Sequence, residues 1–319
     1  MLRSKPLLSL LSLAGVLAVL EVTGRVVVPP PPEMRQDGFA ADPVQGWALP
    51  AGTTMTWRGK RAAINRLGLR SPEPRADASL RILIVGDSSV FGDGVSDTET
   101  FAAQMGRALG PSVDVQNGGV PGYTCRQSRV LIERLADTLQ PDILISYNQH
   151  SDFRRASSED RVIVAAGLGA LGRTGIGRLL SAGMLWNRMR TNGPNLDRSE
   201  YEACLTAMAE TQRKRGGRMA FVVPITEVDF PDSPFYGEEE PEPPGQRLSD
   251  YRTSMGQVAQ AQSAVIIDGP AVTIAAGLSG NAALQDPVHP TVAGHTALSE
   301  GIVRALEKAD WVGKARGKR

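Results

Sequence analysis

The run Arg81-Ile82-Leu83-Ile84-Val85-Gly86-Asp87-Ser88-Ser89 decides how this chain is read. Its apolar residues are continuous rather than alternating with polar ones, the pattern of a strand buried on both faces. The Gly-Asp-Ser-Ser that closes it is turn chemistry. Four similar runs follow: Val113 to Gln116, Ile143 to Tyr147, Met219 to Val223 and Ala264 to Ile267. Helical spacing fills the intervals, over Thr98 to Leu109, Arg126 to Leu139, Tyr201 to Arg215, Ser249 to Gln262 and Thr291 to Glu307. In the second of these, Val130, Leu131, Leu135 and Leu139 fall on one face. Gly216-Gly217 stops the third, and Thr291 is a plausible N-cap for the last. Buried strands separated by helices predict an α/β fold with a five-stranded parallel sheet covered on both faces. Ligands bind such sheets at the carboxyl ends of the strands, so chemistry is expected in the loops that follow them.

Two of those loops carry reactive groups. Ser88 sits at the first strand-to-helix turn, where its hydroxyl and its own backbone N–H face the sheet edge. A serine hydroxyl is a weak nucleophile without a neighbouring base. Far downstream, Asp286-Pro287-Val288-His289-Pro290 precedes the last helix. The Asp-x-x-His spacing lets one short loop present a base together with the carboxylate that orients it. Either element alone is a weak signal, since a Gly-Asp-Ser turn is often a simple cap and an Asp before a helix often caps it. Together they are far more specific. His295, inside the closing helix, reads as structural.

Composition narrows the field. The chain has 319 residues, 41% of them apolar and 22% charged, and a formal net charge of +1. That balance gives no electrostatic case for nucleic acid as a partner. The two cysteines, Cys125 and Cys204, form no CxxC pair, so no zinc site and no other metal or cofactor is expected. Their separation along the chain argues against a bridge between them.

The N-terminus has an address. Arg3 and Lys5 precede an apolar run from Leu7 to Leu20. Extended to Val28 it reaches roughly 33 Å at helical rise, enough to cross a bilayer. Glu21 and Arg25 stand four apart, placed to pair. No small-x-small cleavage site precedes Pro29, which favours an uncleaved signal anchor. The basic flank puts the N-terminal end in the cytoplasm and the rest outside it. The expected organisation is a transmembrane helix over 1–28, a proline-rich spacer and lead-in strap over 29–79, the α/β domain over 80–310 and a basic tail over 311–319. The stretches 154–198 and 225–248 interrupt the α/β pattern after strand ends, as solvated loops or as covers for the site.

The blocks Ile84-Val85-Gly86-Asp87-Ser88-Ser89, Asn117-Gly118-Gly119-Val120-Pro121-Gly122-Tyr123 and Asp286-Pro287-Val288-His289-Pro290 together resemble the SGNH, or GDSL-type, hydrolase family over roughly residues 80 to 308. Ile64 to Glu73 and the anchor resemble a membrane-anchored bacterial subgroup. The resemblance implies a flavodoxin-like three-layer fold and cleavage of an acyl ester through a serine acyl-enzyme. Ser88 would be the nucleophile, His289 the base and Asp286 its orienter. The oxyanion hole would use the N–H groups of Ser88 and Gly122. The family's third block, a Gly-x-Asn-Asp-like element, is altered here to Ser146-Tyr147-Asn148-Gln149-His150-Ser151-Asp152. Its side-chain donor is assigned to Asn148, with His150 the next candidate and Ser151 also able to donate. A bacterial source would place the domain in the periplasm, held at the inner membrane by a single pass, with an acyl group on an envelope glycan or lipid as substrate. An O-acyltransferase on the same triad and a non-catalytic envelope protein are the alternatives.

Overall fold

The computed structural model describes residues 5–28, 38–42, 44–156, 171, 174–191, 193–237, 242–243 and 245–313. The proline run Pro29 to Pro32, the acidic run Glu238 to Pro241 and the tail beyond Gly313 lie outside them.

Along the chain come helix α1 (Lys5–Val27) and two antiparallel hairpins, β1 (Ala40–Asp42) with β2 (Gly46–Ala48) and β3 (Thr54–Trp57) with β4 (Lys60–Ala63). Strand β5 (Leu80–Gly86) then runs into the one-turn helix α2 (Ser88–Phe91), followed by α3 (Phe101–Leu109), β6 (Val113–Gly119), α4 (Cys125–Leu139) and β7 (Ile143–Tyr147). After the short α5 (His150–Phe153) come α6 (Gly175–Arg190), α7 (Arg198–Lys214), β8 (Arg218–Val223), α8 (Leu248–Ala261) and β9 (Val265–Asp268). Helices α9 (Gly269–Ala275), α10 (Gly280–Ala283) and α11 (Val292–Lys308) close the fold.

Strands β5 to β9 form one all-parallel sheet in the order β6-β5-β7-β8-β9. This is the expected three-layer, flavodoxin-like architecture. The order reverses at β5, so the crevice beyond its carboxyl end is the switch point where such sheets take ligands. Successive β5 side chains face opposite layers. Ile82 and Ile84 pack with Phe101, Met105, Leu298 and Ile302 under α3 and α11. Leu83 and Val85 pack with Leu135, Leu205, Tyr201 and Met255 under α4, α7 and α8. All four β5 residues are fully buried, each contributing about 2 kcal/mol from area removed from water.

Three sequence expectations are adjusted. The second strand continues past Gln116 through Asn117-Gly118-Gly119, because these residues pair with Ile84, Val85 and Gly86. The absence of a side chain at Gly119 lets α2 lie against the strand, since a Cβ there would collide with the Phe91 backbone. The first helix begins at Phe101, where Thr100 caps the N–H of Ala103. The cysteines are joined after all: folding stacks α4 beside α7 and brings the Cα atoms of Cys125 and Cys204 to 6.2 Å in a disulfide. Separation in sequence is no guide when two helices cover the same face of a sheet.

The lead-in packs on the domain as a strap, but as a β-structured one. Phe39, Trp47, Leu49, Met55 and Ile64 form a small core with Phe91, Val120 and Tyr123. Arg70, almost fully buried, then stitches the strap to the turn after α2. It donates to the carbonyls of Phe91, Gly92 and Val95 and pairs with Asp97 at 2.9 Å. At the other end of the domain, Val312 is buried and Trp311 packs on the same core as α11.

Candidate active site

Ser88 is the first residue of α2, directly after β5. Asp87 caps the helix by accepting the Ser89 N–H at 3.0 Å, and its second oxygen accepts the Ser151 hydroxyl at 3.1 Å. Gly92 ends the turn with φ of 92°, a conformation open to glycine. One turn of helix is thus clamped at both ends, which fixes Ser88 at the carboxyl edge of the sheet.

The loop before α11 supplies the partner. His289 Nε2 lies 2.8 Å from Ser88 Oγ, and His289 Nδ1 lies 2.6 Å from Asp286 Oδ2. Asp286 Oδ1 accepts the N–H groups of Val288 and His289, so the carboxylate is held by the loop it organises. Burial alone would raise this carboxyl. The hydrogen bond and charge of His289, with the two N–H groups, outweigh it and hold the group at about 2. Asp286 is therefore ionised wherever the protein works. The loop is pinned from both sides: the Ser89 hydroxyl donates to the Val288 carbonyl, and the Glu227 N–H donates to that of Pro287. Ser88, His289 and Asp286, 201 and 198 positions apart between the serine and the other two, thus form one hydrogen-bonded line.

Ser88 and Gly122 both line the cavity. No acceptor among the described residues takes the N–H of Ser88 or of Gly122. Gly122 has φ of +78°, and a Cβ would meet the Trp47 ring at 3.2 Å. Backbone conformation and space both require glycine there. Asn148, the side-chain donor expected from the third block, is not among the residues that line the cavity. Asn148 is fully buried, donates to Ser128 Oγ at 3.0 Å and accepts from Ser146 Oγ at 3.0 Å. Its side chain braces β7 against α4 through these two bonds. His150 opens α5 and is not on the cavity wall, and Ser151 is bonded to Asp87. The residue that this segment does bring to the cavity lining is Arg154.

The cavity at Ser88 encloses about 260 Å³. The domain lines it with Ser88, His289, Gly122 and Asp93, and the strap adds Trp47, Trp57 and Arg58. Sequence reading missed these contributors. Arg58 tips the β3–β4 hairpin with φ of 43°, followed by Gly59 at 75°, the pair of left-handed residues of a type I′ turn. That turn carries its guanidinium to 3.3 Å from Asp93 Oδ2 and 3.7 Å from Asp286 Oδ2. Asp93 is buried, and its Oδ2 lies 3.5 Å from His289 Nε2. The Gly-Asp-Gly at 92–94, placed one turn after Ser88, was the available signal for Asp93. Nothing in a hairpin sequence tells which site its tip will reach. His295 is elsewhere: fully buried, stacked on Phe101 and accepting the Phe101 N–H, it is kept neutral by burial, with its pKa lowered to about 3. No cluster of His, Cys, Asp and Glu among the described residues has the arrangement of a metal site.

A family model described as GDSL-like lipase/acylhydrolase matches residues 84–297. Among solved structures, an acetyl xylan esterase, AlAXEase, is 13% identical, covers 71% of this chain and all of its own, and superposes with a TM-score of 0.50. A mutant of Axe2, an acetylxylan esterase from Geobacillus stearothermophilus, is 18% identical over 72% of this chain and 94% of its own, with a TM-score of 0.47. LAE5, an alpha/beta hydrolase enzyme from the metagenome of Lake Arreo, Spain, is 16% identical over 72% and 96%, with a TM-score of 0.49. At these identities the likeness concerns the fold. No curated protein matches the chain.

Proposed function

The chain belongs to the GDSL-like lipase/acylhydrolase family and is an ester-cleaving hydrolase; from that premise we propose that Ser88 is its nucleophile, relayed by His289 and Asp286. The unbroken line from Ser88 Oγ through the imidazole to Asp286 carries this reading. His289 takes the hydroxyl proton as Ser88 attacks the acyl carbonyl. Asp286, ionised, holds the ring with Nε2 toward the serine and stabilises the imidazolium that forms. The tetrahedral oxyanion sits against the N–H groups of Ser88 and Gly122. The imidazolium returns its proton to the leaving alcohol. Water, activated by the same base, then releases the acyl group. An intact relay of this kind is not needed by a protein that only binds.

The domain works outside the cytoplasm, held by α1. Ser9–Val27 is apolar and long enough to cross a membrane, Arg3 and Lys5 flank its cytoplasmic end, and the Cys125–Cys204 disulfide suits an oxidising compartment. Placement beside an envelope favours an acyl ester on an envelope glycan or lipid. The decisive experiment is active-site labelling with a fluorophosphonate probe. The wild-type protein is expected to label and Ser88→Ala to stay unlabelled. Labelling that persists in Ser88→Ala refutes the assignment of the nucleophile.

A further inference from the structure

Asp93 follows Ser88 by one turn and is held against both halves of the relay. Its N–H donates to the Ser88 carbonyl at 3.0 Å, and its own carbonyl accepts the Gln285 side-chain amide. Gln285 in turn donates its backbone N–H to the His289 carbonyl at 2.9 Å. Gly94, next to Asp93, leaves room for this arrangement, since a Cβ there would collide with the Gln285 side chain. The Asp93 carboxylate is thus placed relative to nucleophile and base by bonds that the carboxylate itself does not make.

That carboxylate is short of partners. The side chain is only 3% exposed, yet Asp93 lines the cavity. Its Oδ1 is buried and accepts no hydrogen bond among the described residues. Its Oδ2 has the Arg58 guanidinium at 3.3 Å and His289 Nε2 at 3.5 Å. A carboxylate offers about four acceptor sites. Buried acceptors left unfilled are costly, so an unfilled one beside a nucleophile calls for a donor brought by the ligand. Trp57, on the same lining, has a buried indole N–H that finds no acceptor among the described residues. A hydroxyl group both donates and accepts, and so answers both needs. An alkyl group answers neither. A cationic head group is disfavoured, because Arg58 already sets a positive charge against Asp93.

The position of Asp93 says which half of the ester it meets. His289 returns its proton from Nε2 to the leaving alcohol, whose oxygen must therefore come within about 3 Å of that nitrogen. Asp93 Oδ2 stands 3.5 Å from the same nitrogen. Carboxylate and leaving oxygen are then close enough for a hydroxyl on the neighbouring carbon to bridge them with one hydrogen bond. We infer that Asp93 and Arg58 form an alcohol-side subsite for a free hydroxyl next to the scissile ester, so that the substrate is a partly acylated polyol. The hydroxyl donates to Asp93 and accepts from Arg58. A sugar ring and a glycerol unit both present this chemistry. The assignment rests on the Ser88–His289 relay proposed above and extends it to the leaving group.

The test compares two acetate esters that differ in one hydrogen-bond donor, 2-hydroxyethyl acetate and 2-methoxyethyl acetate, with the full chain in detergent. The wild type is expected to show kcat/KM for the hydroxy ester at least about tenfold above that for the methoxy ester. Asp93→Ala is expected to bring that ratio close to one. Arg58→Ala, at an exposed hairpin tip where folding is not at stake, is expected to lower it by about threefold, the smaller effect reflecting solvent screening. A wild-type ratio near one, or a ratio that neither substitution moves, overturns the subsite; fluorophosphonate labelling of Ser88 in the same proteins then shows that the relay stands without it. Absence of both labelling and turnover overturns the relay, and the subsite with it. Faster cleavage of acetylcholine than of the hydroxy ester also overturns the subsite. Glycerol 1-acetate and a methyl hexoside acetylated at its 3-hydroxyl separate the two sources: the one cleaved faster, in a manner dependent on Asp93, names the polyol, and failure of both to exceed 2-methoxyethyl acetate overturns the assignment.

Discussion

Arg58, at the tip of a hairpin that precedes the catalytic domain, holds its guanidinium 3.7 Å from Asp286, the carboxylate bonded to His289. It lies closer still to Asp93, whose Oδ2 faces His289 Nε2. The charges around the imidazole are therefore Asp286, Asp93 and Arg58, with Arg154 on the cavity wall. Removing Arg58 takes away the cation that sits between Asp93 and Asp286. Arg58→Ala is expected to lower kcat/KM by about threefold, the small size reflecting solvent screening of an exposed side chain. Arg58→Lys is expected to restore most of it. Steady-state kinetics on the three proteins read this directly, and an unchanged kcat/KM would show that the contact has no catalytic weight.

Gly122 and Asn148 separate site from scaffold. Gly122→Ala places a methyl against Trp47 in a left-handed backbone, so the N–H must shift. A loss of about 100-fold in kcat is expected, the scale for one oxyanion donor. Asn148→Ala removes a buried brace and leaves Ser128 and Ser146 short of partners. A cost of about 1 to 3 kcal/mol in urea unfolding is expected, with kcat per folded molecule little changed. A collapse of kcat in Asn148→Ala without loss of stability would return that side chain to the oxyanion hole.

Acid lability should trace to two groups. His295 has a folded pKa near 3 against an ordinary 6.5, so it contributes full stability above about pH 6.5 and loses it as pH falls toward 3. The change is on the order of 5 kcal/mol. Asp286, held at about 2 against 3.8, contributes about 2 kcal/mol that is present above pH 4 and lost as pH falls through 2. His295→Gln should flatten unfolding free energy between pH 7 and 3, and Asp286→Asn between pH 4 and 2. Slopes equal to wild type in denaturant titrations would exclude either group as the source.

The disulfide closes a separation of 79 residues between two helices on one face of the sheet. Cys125→Ser with Cys204→Ser is expected to lower stability by about 2 to 4 kcal/mol. The double variant, compared with the oxidised parent by chemical denaturation, tests this, and equal midpoints would mean the bond adds nothing.

What could be read in advance was local or motif-bound. Continuous apolar runs such as Ile82 to Val85 imply a buried parallel sheet because nothing else accommodates them. The line from Ser88 to His289 was legible because turn chemistry and Asp-x-x-His spacing are short-range signals. The bonds of Asn148 to Ser128 and Ser146 could not be read in advance, because they arise only where α4 packs on β7. Cys125 and Cys204 met through layer geometry rather than spacing. Trp47, Trp57 and Arg58 reached the cavity because a hairpin folded back over it, a long-range event without a local signature.

That hairpin strap lies wholly before residue 84, where the match to the family begins. Ser88, His289 and Asp286 belong to the matched body, but four of the ten residues that line the cavity, Phe39, Trp47, Trp57 and Arg58, come from before it. Exchanging residues 39–63 would therefore reshape the space offered to a substrate, and it would reach the relay as well, through Arg58 beside Asp286.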